Sequence, residues 1–160
     1  MSHHGKKYAY PPNQDLKSLI RFEEDTGNIW LGQQRMILLH AAAFGSMRGE
    51  LIESFGEVYA RGILMRMGYA AAQSDMQLAR SMRPHHSPLE RFLVGPQLHV
   101  LEGMVSVEPV ALEMDVERGH FYGEFTWRNW FEAAEHMRLD GLSHEPVCWY
   151  LLGYATGYTS

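Results

Sequence analysis

Between Gly119 and Arg128 the chain alternates. Phe121, Gly123, Phe125 and Trp127 fall on one face of an extended segment, and Tyr122, Glu124, Thr126 and Arg128 on the other. Upstream, residues 105–116 read the same way, with Leu112, Met114 and Val116 interleaved with Glu113, Asp115 and Glu117. The intervening Glu117-Arg118-Gly119-His120 carries a turn signal, so the pattern predicts an antiparallel hairpin with one wet face. Its apolar face has two distinguishing marks. Gly123 removes a side chain where a neighbour or a ligand can approach, and Trp127 places one N–H donor in a hydrocarbon wall. Such a face serves an ordinary core or the wall of a pocket for a flat aromatic ligand with one polar atom. Glu124, on the opposite face, reads as solvated.

The rest of the chain is less regular. Residues 16–22 read as a short strand, Asp25-Thr26-Gly27-Asn28 as a turn, and Ile29-Trp30-Leu31 as the returning strand. A two-stranded hairpin is marginal alone, so this one needs a partner, either the main body or a second copy of the chain. From Gln33 the spacing turns helical, with Met36, Leu39, Ala43, Met47 and Leu51 three or four apart. Gly45 and Gly49 lie four apart on this helix and suggest a close helix contact, and Gly56 ends it. A second helix is predicted over residues 57–67, and a third over 74–82, with Ser74 and Gln77 as a capping pair. A loop follows at residues 83–88, in which His85 and His86 read as solvated. A short helix over 89–94 is expected to break at Gly95-Pro96. His99 then lies between Leu98 and Val100, near Phe92; a lone histidine there is more often a hydrogen-bonded core residue than a ligand contact. Residues 130–138 read as helix, 140–146 as loop and 147–158 as a last apolar segment. That segment stops at Ser160 in what looks like mid-element, so the chain is expected to be a piece of a longer protein.

At 160 residues, of which 46% are hydrophobic and 21% charged, the chain suits one globular domain able to bury a core. The elements sum to an α+β fold, a helical first half packed on an antiparallel sheet, with residues 1–14 as an arm. A formal charge of -5 argues against direct nucleic-acid binding by this chain. No apolar run reaches membrane-spanning length and no signal-peptide core opens the chain. With a single cysteine, Cys148, this points to a cytoplasmic location. Ten methionines suit core filling, in a core that can adjust its shape. No phosphate-binding glycine loop, nucleophile elbow or His-Glu-x-x-His zinc motif occurs, and Cys148 has no local cysteine with which to close a metal site. No catalytic constellation is evident.

Four strings carry a resemblance: residues 30–40 (WLGQQRMILLH), 92–99 (FLVGPQLH), 119–125 (GHFYGEF) and 145–149 (EPVCW), with Gly153-Tyr154 following. They resemble the N-terminal sensory domain of the sigma-54-dependent activators of aromatic catabolism, the phenol-responsive branch above all, over about residues 13–160. The resemblance implies an aromatic effector such as phenol, a vinyl-4-reductase-like α+β fold, and a homodimer to which the N-terminal hairpin contributes. It implies relief of inhibition of a downstream AAA+ ATPase, in a protein whose helix-turn-helix domain holds DNA; neither part lies in this chain. It places the effector hydroxyl between His99 and Trp127, within an apolar box of Phe92, Phe125, Tyr154 and Tyr158. Acid pH, by protonating His99, is then expected to weaken phenol binding. The resemblance also makes Cys148 one ligand of a structural zinc whose other ligands, a glutamate and two cysteines, match positions beyond Ser160. Two further readings stand beside the sensor: a small enzyme acting on aromatic compounds with His99 as base, and a dimerisation or adaptor module.

Overall fold

The computed structural model describes residues 14–160, so the expected arm over residues 1–14 lies outside it except for Gln14. The order of elements is α1 (Gln14–Ser18), β1 (Ile20–Glu23), β2 (Asn28–Leu31), β3 (Gln34–Met36), α2 (Ala41–Phe55), α3 (Glu57–Met82), α4 (Pro88–Phe92), α5 (Val94–Leu101), β4 (Ser106–Asp115), β5 (His120–Arg128), α6 (Phe131–Leu139) and α7 (Trp149–Thr159). The α+β class holds. Two antiparallel sheets form, β1-β2-β3 and β4-β5.

The N-terminal region departs from the strand expected over residues 16–22. Its first part is the helix α1, and only Ile20–Glu23 pairs, with Ile20 opposite Leu31. The segment after Leu31, expected to be helical, supplies β3, with Ile29 opposite Met36. The hairpin thus gains a third strand and finds its partner in the chain itself. Leu16 and Leu31 join Leu78, Ala79, Val94 and Leu98 in a small core. Helix α2 begins only at Ala41, and its buried face is Phe44, Gly45 and Arg48 rather than the expected Leu39–Met47 stripe; Leu39 is exposed. Gly45 does make a close helix contact, against Glu135 and Leu139 of α6, whereas nothing lies near Gly49. Gly56 ends α2 at φ 81°, a conformation glycine tolerates without a Cβ penalty, and its N–H donates to the Ile52 carbonyl at 2.8 Å.

The two helices expected over 57–67 and 74–82 are one, α3. Ser74 is not a cap; its hydroxyl donates to the Ala70 carbonyl one turn back. The capping box forms at Ser87 instead. Ser87 Oγ accepts from Glu90 N–H, the Ser87 N–H donates to Glu90 Oε2, and Pro88 occupies the first helical position. Nor do Gly95 and Pro96 break a helix. They sit in the first turn of α5, where proline's missing N–H has no partner to lose.

Strands β4 and β5 form the expected hairpin, turning through Gly119 at φ 62°. A bulge between Pro109 and Ala111 changes parity, so that Val107 before it and Leu112 and Met114 after it all face inward. Opposite them stand Trp127, Gly123 and Phe121 respectively. Across the wet face, Glu113 meets His120 at 3.3 Å and Glu108 meets Arg128 at 3.5 Å. The main core is closed by α7 lying along α3. Three glycines permit that approach. A Cβ on Gly68 would strike the Tyr150 carbonyl, one on Gly153 the Met65 carbonyl, and one on Gly157 would come within 2.6 Å of the Tyr69 carbonyl.

Candidate functional site

The inner face of β5, helices α4 and α5, and the second half of α7 line a half-open cavity of about 540 Å³. Its wall includes all six side chains named from the sequence: Phe92, His99, Phe125, Trp127, Tyr154 and Tyr158. Phe121, Gly123, Val107, Pro96 and Ala155 add to the apolar part. The notch at Gly123 is partly filled, because a Cβ there would fall 2.9 Å from the Phe125 ring and 3.0 Å from that of Phe121. Phe92 is the hub of the aromatic wall, with ring centroids 5.1 Å from Phe121, 6.1 Å from Phe125 and 5.6 Å from Tyr158. Tyr158 is anchored twice. Its ring lies against Gly95, where any Cβ would collide with it, and its hydroxyl donates to the Arg91 carbonyl at 3.3 Å.

His99 is 4% exposed, and its Nε2 has no hydrogen-bond partner. The hydrogen-bonded core histidine that the sequence made the commoner alternative is therefore absent at that nitrogen. Burial alone pushes its pKa down to about 3, so the imidazole is neutral at physiological pH. Its ring packs on that of Tyr154, centroids 3.5 Å apart. The Tyr154 hydroxyl in turn donates to Asp75 Oδ2 at 2.7 Å, inside the core. Burial raises the Asp75 carboxyl to about 6, against the pull of that hydrogen bond. It raises nearby Glu102 to about 8, with the Asp75 charge as the second cause. Trp127 is more open, 37% exposed. Glu124, expected on the solvated face, also borders the cavity, as do Thr156 and Thr159, whose hydroxyls donate to carbonyls of α7. The site thus offers one buried neutral imidazole and one indole donor among aromatic rings, with these polar groups at its border.

Sequence reading missed the polar groups that support these walls. Asp75 is one. Glu132 is another, fully buried and carried on α6. Its Oε2 accepts from Trp130 Nε1 at 3.3 Å and from the Tyr150 N–H at 3.0 Å, so it caps the first turn of α7 from a different helix. Arg48 stands 3.9 Å from Glu132 and lies over the Trp149 ring at 4.2 Å. Burial raises the Glu132 carboxyl to about 7 despite these partners. In the sequence Glu132 is an ordinary acidic residue in the first turn of a helix, and nothing local marks it as buried.

Cys148 is a free, half-buried thiol at the start of α7, its pKa raised by burial and then by the Glu132 charge. Among the described residues no group of three or more His, Cys, Asp or Glu side chains is placed to hold a metal ion. Those residues do not complete the zinc site that the resemblance implies. Among them, too, no helix is long and apolar enough to cross a membrane.

Residues 15–115 match the family model described as activator of aromatic catabolism. The chain belongs to that family. Within it, the chain is 42% identical over 154 residues to the transcriptional regulatory protein XylR of Pseudomonas putida, and 39% identical over 147 residues to the phenol regulator MopR of Acinetobacter guillouiae. These alignments cover 96% and 92% of this chain but only 27% and 26% of the two relatives, so the chain spans about a quarter of their length. Its fold superposes with a TM-score of 0.87 on the crystal structure of the phenol-responsive sensory domain of the transcription activator PoxR with phenol. The identity there is 45%, over 91% of this chain and 72% of that one. The chain thus shares sequence with two regulators of this kind and its overall fold with the sensory domain of a third.

Proposed function

We propose that this chain is an aromatic-effector sensory domain that binds phenol or a closely related small phenol in the 540 Å³ cavity. The observation that carries the reading is a buried neutral His99 with an unpaired Nε2, in a wall of aromatic rings that also holds the Trp127 indole. An indole offers one donor; a neutral imidazole offers one donor and one acceptor. A phenol hydroxyl accepts from Trp127 and donates to His99, while its ring replaces water against Phe92, Phe125, Tyr154 and Tyr158. The likeness to a regulator named for phenol and to a phenol-bound sensory domain supports this choice.

In a longer chain, binding relieves inhibition of a downstream AAA+ ATPase whose helix-turn-helix partner domain holds DNA, in the cytoplasm. Two copies associate as a homodimer. The exposed Ile37, Leu38 and Leu39 before α2, and Phe55, Val58 and Tyr59 at the junction of α2 and α3, support this by leaving apolar surface unpartnered within one chain. Cys148 supplies one thiolate to a structural zinc whose remaining ligands a longer chain would carry. An enzyme using His99 as base is disfavoured, because an imidazole with a pKa of about 3 is a weak base at neutral pH.

Calorimetry with phenol and benzene tests the reading. Benzene leaves the buried His99 Nε2 unpaired, at about 1–3 kcal/mol, and the partly exposed Trp127 N–H costs less, so phenol is preferred roughly tenfold to a hundredfold. His99→Phe and Trp127→Phe each narrow that preference, and phenol is recovered unchanged. Undiminished phenol affinity in both variants would place the hydroxyl elsewhere; a new product would make the chain an enzyme.

A further inference from the structure

Tyr154 is held at three points. Its hydroxyl donates to Asp75 Oδ2 at 2.7 Å, one ring contact is His99 at 3.5 Å between centroids, and another is Tyr158, nearly parallel at 5.8 Å and 10°. Only the first of these contacts is directional. Ring packing lets a side chain slide or tilt at little expense, whereas a short hydrogen bond to a carboxylate fixes both the position and the direction of the hydroxyl. His99 Nε2 has no hydrogen bond of its own, so the plane of its imidazole is set at that end by the surfaces it packs on, and Tyr154 is the nearest ring. Asp75 sits on α3, 4% exposed, and its carboxylate is retained in the core with that hydroxyl as its hydrogen-bonded partner. An isolated buried carboxylate would be strongly disfavoured, and a leucine would fill the same space without that expense.

We infer that Asp75 is a specificity-determining positioning residue, which acts through the Tyr154 hydroxyl to hold the His99 imidazole in the orientation that accepts an effector's hydroxyl. Asp75 does not itself touch the effector. It makes the aromatic box selective for hydroxylated rings by preventing His99 from relaxing into a merely apolar contact. The inference rests on the effector-binding reading above.

The test is the ratio of phenol to benzene affinity, measured by calorimetry on the whole chain. Loosened packing weakens both ligands together; a lost orientation weakens only the one with a hydroxyl. Asp75→Ala is expected to lower the ratio by up to about tenfold, the worth of the effector's hydrogen bond to the neutral His99 imidazole. Asp75→Asn, whose amide oxygen still accepts from Tyr154, restores the wild-type ratio. Tyr154→Phe keeps the ring and lowers the ratio as Asp75→Ala does, and the double variant goes no lower than either single one. If Asp75→Ala fails to fold, the comparison of Asp75→Asn with Tyr154→Phe carries the test. A ratio unchanged in Tyr154→Phe, or equal weakening of phenol and benzene in the single variants, overturns the inference and leaves the functional reading intact. A wild-type chain with no preference for phenol overturns both.

Discussion

Replacing Gly153 by alanine sets two well-defined effects against each other. In a helix interior glycine is about 1 kcal/mol less favourable than alanine, so propensity alone predicts a more stable protein. Against this, the new Cβ would overlap the carbonyl oxygen of Met65 on α3 and lie 2.6 Å from its carbonyl carbon and 2.7 Å from its Cα. These are backbone atoms of a helix and cannot rotate aside. Restoring an ordinary carbon–carbon separation of about 3.5–4.0 Å moves α7 away from α3 by about 1 Å. That strain, together with the looser packing of α7 on α3, costs about 1–3 kcal/mol or more. The expected net effect is destabilisation by about 1–2 kcal/mol. Gly49→Ala in α2 is the control, because a Cβ added there meets nothing within 4 Å and only the propensity gain remains. Urea unfolding of both variants measures the contest, and calorimetry reads its functional side. Tyr154 follows Gly153 directly, so the displacement also pulls its hydroxyl from Asp75 and weakens phenol binding. A Gly153→Ala protein as stable as Gly49→Ala, with unaltered affinity, would refute the close packing of α3 on α7.

Five further outcomes follow. Glu132→Ala strips the cap from α7 and leaves Arg48 to the half-exposed Asp140 carboxylate at 3.5 Å, an expected loss of about 1–3 kcal/mol, whereas Glu132→Gln retains acceptance from the Tyr150 N–H and loses less; thermal melts of the pair decide it. The pKa of His99 is about 3 in the fold against 6.5 unfolded, so the unfolded chain binds the extra proton between these values. Stability therefore declines as pH falls below about 6.5, by up to about 1.4 kcal/mol per pH unit from this group, and His99→Phe flattens the slope. The expected acid weakening of phenol binding through His99 accordingly moves to about pH 4 and below, and a binding midpoint near 6.5 that disappears in His99→Gln would contradict the burial. Light scattering at micromolar concentration should give a dimer that charged substitutions at Leu38 and Val58 dissociate; a monomer would remove that part of the proposal. A chain extended to carry the further zinc ligands should melt higher than this one in a chelator-sensitive way, and equal melting with and without chelator would count against Cys148 as a ligand.

What the sequence determined by itself is local and periodic. The β4-β5 hairpin follows from alternation, since a period of two puts Phe121, Gly123, Phe125 and Trp127 on one face whatever lies opposite. Gly56 and Gly119 mark their turns because the backbone there needs positive φ. For Phe92, His99, Tyr154 and Tyr158 the resemblance selects the residues without explaining how they come to share one cavity wall with the hairpin face. Where local signals competed, tertiary packing decided. Ser74 and Gln77 look like a helix start, but α3 runs through them because Leu64, Ala72 and Leu78 are buried along its whole length. Residues 34–36 could have been helix and became a strand by pairing with β2. The burial of Asp75, Glu132 and Arg48 belongs wholly to the tertiary structure. Asp75 meets Tyr154 79 residues away, and Arg48 reaches His136 88 residues away. The depressed pKa of His99 has the same origin. Desolvation is a property of everything packed around a group, and a sequence window holds only the few neighbours that are covalently near.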